Sequence, residues 1–347
     1  MNRTNITEEV WNAPDTTVID AIIAVTFTLI FLTGVPGNLL TIYVIARKGR
    51  VKTTTNVYIL SLACADLVFV LCSPFYAVEY LSVDNKLGDI GCRLRDALDV
   101  YTMLASIFTL TIMSIDRFVA VVFPIKSLGY RSDDVAKCIN VVIWIVSFTV
   151  ALPKIIFNHE VTYHLGDGVY RLCRNKMSEE AERAHITTIF VLAFPIPFLI
   201  ITFCYVSMVI SLMTSKNDSP LTESDESKQS KRRVARMVLG IVIAFFICWL
   251  PFWIYQMIRK YSTLVITNSI SVYIVQFVFI ALTYVNSCLN PLLYTFLSGN
   301  FRKNVKKAFK CCNRKVAPTQ TIATAFNSSS HGNQSHTGRT HQETGTF

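Results

Sequence analysis

Long, mostly apolar runs alternate with short charged spacers along this chain. Seven runs approach or exceed the roughly 20 residues that a helix needs to cross a bilayer: Ile22–Ala46, Val57–Val78, Asp99–Phe123, Cys138–Leu152, Ile186–Thr214, Met237–Ile258 and Leu264–Gly299. The fourth is short, but Lys137 and Lys154 at its ends can snorkel toward the head groups. The pattern predicts an all-α membrane protein, a seven-transmembrane helix bundle. Residues 1–20 form a short polar tail, residues 21–299 the bundle, and residues 216–230 a polar, flexible loop. In residues 300–312, Phe301, Val305, Ala308 and Phe309 share one helical face opposite lysines, which predicts a short amphipathic helix on the membrane surface. Residues 313–347 are rich in Ser, Thr, Gln, Asn and Gly and are expected to be a disordered cytoplasmic tail.

Composition agrees with a membrane solvent. Of 347 residues, 52% are hydrophobic and 16% charged, against about a quarter charged in soluble domains. The net charge of +10 gathers in Arg47, Lys48, Arg50 and Lys52, in Lys231, Arg232, Arg233 and Arg236, and in Arg302, Lys303, Lys306, Lys307 and Lys310. The positive-inside rule makes these faces cytoplasmic and the N-terminus extracellular, as in a multi-pass plasma-membrane protein. A nucleic-acid partner is not needed to explain the charge. Asn2 and Asn5 then head outside N-glycosylation sequons. Cys92 and Cys173 are the cysteines on outside segments, so we pair them in a disulfide. Cys311 and Cys312 end the surface helix, where palmitoylation would add a second anchor; the alternative is two unmodified thiols. We find no catalytic constellation, phosphate loop or metal-ligand spacing, so the sequence reads as neither an enzyme nor a cofactor protein.

Ionisable groups inside spans are costly and mark function. Asp99 lies near the outer end of the third run and Asp116-Arg117 near its inner end. Asp99 and Arg117 are 18 residues apart, five helical turns or about 27 Å on one face. One helix can therefore connect an outside event with an inside one. At the inner end, an acid beside an arginine lowers the cost of both charges, and a plain interfacial ion pair remains an alternative. Asp66 has no base in its own span, while Asn38, Ser106, Asn286 and Asn290 put neutral polar groups in others. These oxygens suit a sodium ion; a protonated Asp66 bonded to the asparagines or a water cluster would explain them too. Pro197, Pro251 and Pro291 are candidates for kinks. Trp249, two residues before Pro251, is expected to face the bundle with Phe245 and Phe252.

GNLL, LACAD, SIDRF, the lone Trp144 of the fourth run, FxxCWLP and NPLLY follow one another in order. In this order they resemble rhodopsin-like (class A) G-protein-coupled receptors over residues 20–312. The resemblance implies an outer Cys92–Cys173 disulfide and an allosteric sodium site of Asp66, Ser106, Asn286 and Asn290. It implies a hinge at Trp249 and Pro251, a G-protein contact at Arg117 beside Asp116, and supporting roles for Tyr205 and Tyr294. Phe118 departs from the commoner tyrosine, and Lys231 stands where some members carry an acid that locks the arginine. Asp99, with Tyr284, occupies the position that binds a cationic ligand group, and Met103, Trp249, Phe252 and Gln256 surround it. Receptor kinases and arrestin would act at the tail.

The stretches GDIGCRLRDALDVYTMLASIFTLTIMS, RMVLGIVIAFFICWLPFW and TYVNSCLNPLLYTFLSGNFR closely resemble urotensin-II receptors. This implies a cyclic peptide agonist with a critical lysine, and a heterotrimeric G protein of the Gq/11 type acting through phospholipase C and calcium. KTTTNVYILSLACAD and DRFVAVVFPIKSLGYRS look somatostatin-like as well, which would imply Gi. A seven-span transporter is the alternative of another class, but no repeat symmetry between halves supports it.

Overall fold

The computed structural model describes residues 17–46, 54–82, 86–125, 127, 131–165, 168–214, 225–262 and 270–297. Asn2, Asn5, Cys311, Cys312, the segment 300–312 and the tail lie outside the described residues. Helices α1 (Thr17–Ala46), α2 (Thr54–Leu71), α3 (Ser73–Leu81), α4 (Gly88–Val122) and α5 (Asp133–Phe157) come first. A hairpin of β1 (Asn158–Leu165) and β2 (Gly168–Asn175) follows, then α6 (Glu179–Ala193), α7 (Pro195–Thr214), α8 (Asp225–Tyr261) and α9 (Ile270–Leu297). Among the described residues, seven helical segments are long and apolar enough to cross a membrane. The second span is α2 with α3 and the fifth is α6 with α7.

Prolines account for both breaks. Pro74 lies in the first turn of α3, and Cys72 before it bonds back to the Phe69 carbonyl at 2.9 Å. A proline there has no N–H and its ring crowds the carbonyl four residues back. The fifth span is interrupted at Phe194, ahead of Pro195 and Pro197. The helix runs on through Pro251 and Pro291. Side-chain caps begin two spans: Ser132 accepts from the Val135 N–H and Ser178 from the Ala181 N–H, each at 3.2 Å.

Three segments differ from the sequence reading. The third span begins at Gly88, eleven residues before Asp99. Gly88, at φ 70°, supplies the left-handed turn into it. Asp225–Ser230, expected in a loop, belong to α8; Glu, Lys and Gln are good helix formers that can carry a helix past a membrane. The segment after the fourth span is an antiparallel hairpin pairing Val161 with Leu172 and Tyr163 with Tyr170. Its signal was in the sequence, two alternating runs around Gly-Asp-Gly.

The third span is central. It packs against the second, fourth, fifth and sixth spans and the hairpin. Large apolar side chains such as Val25, Leu29 and Leu32 face outward, while Asn38, Asp66, Asn286 and Asn290 are buried. That inversion suits a lipid solvent. Asn38 ties the first span to the seventh, its amide donating to the Ser287 carbonyl at 3.2 Å. Gly34 permits this approach: a Cβ there would meet Cys288 Sγ and Val70 Cγ1 at 2.9 Å. Gly34→Leu is therefore expected to cost about 1–3 kcal/mol, read as a lower melting temperature of the detergent-solubilised protein.

Candidate functional site

A cavity of about 110 Å³ opens between the spans toward the end that carries the Cys92–Cys173 disulfide. Asp99, Met103, Trp249, Phe252, Gln256 and Tyr284 all line it. A vestibule of about 390 Å³ adjoins it and shares Asp99, Lys154, Phe252 and Gln256. The disulfide joins β2 to α4, so the hairpin is fixed over this end of the third span. Asp89 adds to the fixation by accepting from the Glu160 N–H at 2.9 Å.

Asp99 accepts from two tyrosines. Tyr76 makes a close hydrogen bond to Oδ2, and the Tyr284 hydroxyl lies 3.3 Å from Oδ1. No cation pairs with Asp99 among the described residues. Behind Tyr76 stands Arg95, its guanidinium 4.9 Å from the ring centroid. Arg95 pairs closely with Glu79 and holds Asp96 by a fork of 2.9 and 2.6 Å. The Asn158 amide donates to the same Asp96 at 2.8 Å. The sequence singled out Asp99 and Tyr284. It missed Tyr76 and Lys154, because spans two and four bring them in from far along the chain, and it missed Arg95, four residues before Asp99 on the third span itself. Trp249 is buried as expected, stacked against Phe245 at 5.7 Å between centroids and edge-on to Phe252 at 5.8 Å.

Asp66 is 1% exposed, a carboxylate fully withdrawn from solvent. Ser287 Oγ donates to it at 2.9 Å and Asn290 Nδ2 at 2.7 Å. Ser106 faces the same carboxylate. Asn286 is buried nearby in the same helix but is not the partner of Asp66; Ser287 takes that place. Both Ser287 and Asn286 can share a helix face with Asn290 at i+3 and i+4, so spacing alone could not choose between them. The Oδ1 atoms of Asn38, Asn286 and Asn290 are buried without a partner among the described residues.

At the opposite end of the third span, Asp116 and Arg117 form an ion pair of 3.0 Å. Arg131 also grips Asp116 with bonds of 2.7 and 2.9 Å, and reaches Thr54 at 3.3 Å. Arg117 makes a close bond to Thr55. Tyr205 is buried in the fifth span. Tyr294 and Lys231 lie on helical backbone, with side chains outside the described residues. The Asp116-Arg117 dipeptide is thus part of a cluster tying the second and third spans to Arg131. Removing Arg131 should loosen this end: Arg131→Ala is expected to lose about 1–3 kcal/mol, measured by thermal melting. Arg131→Lys should not restore it, since one ammonium cannot reproduce the planar fork.

The third span thus carries one partly buried acid toward each end, among seven spans in the order the motifs imply. The chain matches the family described as 7 transmembrane receptor (rhodopsin family) over residues 37–294. It is 38% identical over 301 residues to somatostatin receptor type 2 of Mus musculus, covering 87% of this chain and 80% of that protein. It is 37% identical over 300 residues to the same receptor of Sus scrofa, covering 86% and 79%. The chain is therefore a seven-span membrane receptor and belongs to the rhodopsin family of 7 transmembrane receptors.

Proposed function

We propose that this protein is a plasma-membrane receptor for a cyclic peptide of the somatostatin type, acting through a heterotrimeric G protein. The observation that carries the reading is Asp99, an acid that is held by Tyr76 and Tyr284 in a cavity wall and forms no ion pair among the described residues. A ligand ammonium there gains a charge-assisted hydrogen bond in a partly dry site. The adjoining vestibule gives room for a peptide rather than a lone amine. The relatives named as somatostatin receptors favour the somatostatin reading over the urotensin-II one, and with it Gi over Gq/11. The urotensin-II reading stays second because long stretches of the third, sixth and seventh spans resemble those receptors.

The basic segments orient the disulfide end outward and the Arg117 end toward the cytosol. Agonist then shifts a population. Its cation engages Asp99 and its apolar groups press on Trp249 and Phe252. The sixth span hinges near Pro251, and Arg117, supported by Tyr205 and Tyr294, becomes available to the G protein. Glycosylation at Asn2 and Asn5, palmitoylation at Cys311 and Cys312, and tail binding by kinases and arrestin belong to the same reading.

A sodium ion suits the Asp66 cluster by donor chemistry: Asn290, whose amide nitrogen donates to the carboxylate, has a buried amide oxygen without a partner among the described residues. Asp66, Ser106, Asn286 and Asn290 would hold it, with Ser287. When bound, the ion supplies the charge that keeps a buried carboxylate ionised in the resting receptor.

Cells carrying the receptor, dosed with somatostatin and urotensin II in parallel, test the reading. Somatostatin lowering cyclic AMP is the expected result; a calcium rise to urotensin II alone would move the protein to the second reading. Asp99→Ala should abolish agonist potency while surface display persists, and Tyr76→Phe should weaken it about three- to tenfold. Sodium should weaken agonist binding, and Asp66→Asn should remove that effect; salt-independent binding by the parent receptor would exclude the ion.

A further inference from the structure

The cavity that holds Asp99 also holds Lys154, from the end of the fourth span. The apolar run left this lysine free to snorkel outward. Instead its side chain turns inward and lines both the cavity and the vestibule. A partly buried ammonium needs a counter-charge, and the acids nearby are already engaged. Glu79 pairs with Arg95, and Glu182 pairs with Lys260 at 2.7 Å. Asp96 takes the Arg95 fork and the Asn158 amide. It lies within electrostatic range of Lys154, yet no bond joins them. Among the described residues, the Lys154 ammonium makes no ion pair and no hydrogen bond; only the backbone carbonyl is engaged, by the Asn158 N–H.

Asp99 and Lys154 are therefore two opposite charges of one cavity wall that form no ion pair among the described residues. A purely cationic ligand would match Asp99 and leave the Lys154 ammonium without a counter-charge. Full complementarity calls for a ligand with an anion as well as a cation.

We propose that the site is bipolar: Asp99 takes the basic group of the peptide, and Lys154 takes a carboxylate of the same peptide. The carboxylate is a side-chain acid or the free C-terminus. It accepts from the Lys154 ammonium. Lys154 is then a specificity-determining residue that separates peptides with an acid from isosteric amides. This rests on the reading of Asp99 as the cation anchor.

The test uses whichever of somatostatin and urotensin II activates the parent receptor, with its carboxyl groups free or blocked as primary amides. Competition binding is measured on membranes from cells displaying the full-length receptor. Blocking should weaken binding to the parent about tenfold or more. Lys154→Gln should make the two forms bind alike, Lys154→Arg should keep the preference, and Lys154→Glu should invert it. Equal affinity of the two forms for the parent overturns the proposal without any variant having to fold. A preference that survives Lys154→Gln overturns it as well. If Asp99→Asn abolishes binding while blocking changes nothing, the cation anchor stands and the Lys154 subsite falls. If neither peptide binds the displayed parent, both fall.

Discussion

A charge placed inside a membrane must find its partners within the protein, and the third span is organised by that constraint. Asp99 at one end takes two tyrosine hydroxyls. Asp116 at the other takes Arg117 and the fork of Arg131. Between them the helix is buried against four other spans. A rigid element with one acid poised for a ligand and another held by replaceable ion pairs can transmit a change along its length. The coupling needs both ends to have two arrangements whose balance a ligand biases.

The polar middle of the bundle serves the same end. Asp66 is tied to the seventh span through Ser287 and Asn290, and Asn38 ties the first span to the carbonyl of that same Ser287. These bonds cross three spans at one level, where lipid offers no substitute. Unpaired amide oxygens remain at that level. A network so placed resists change while its members are satisfied.

Legibility in the sequence followed the range of each interaction. Seven spans were readable because apolar runs of membrane length report the solvent directly. Asp66, Asp99 and Asp116 stood out because a charge in such a run is costly. The helix period placed Asp99 and Arg117 on one face. What stayed hidden was brought together by tertiary packing. Arg131 reaches Asp116 across a turn, Tyr76 reaches Asp99 from another span, and Lys154 turns inward where its position at a span end suggested the head groups. Ser287 in place of Asn286 reflects a helix rotation too small for spacing to resolve. The hairpin is a different case: its two alternating runs flank Gly-Asp-Gly and are visible in the sequence itself.

The central claim is that a cation at Asp99 changes the far end of the bundle. The most direct measurement is the distance between spin labels at Phe123 and Arg236, at the far ends of the third and sixth spans, with the exposed Cys138 replaced by serine. It is taken with and without saturating agonist peptide, in the parent and in Asp99→Asn. The account predicts a longer distance on adding peptide to the parent and no change in the variant. An unchanged distance in the agonist-bound parent, or the same lengthening in the variant, would contradict it.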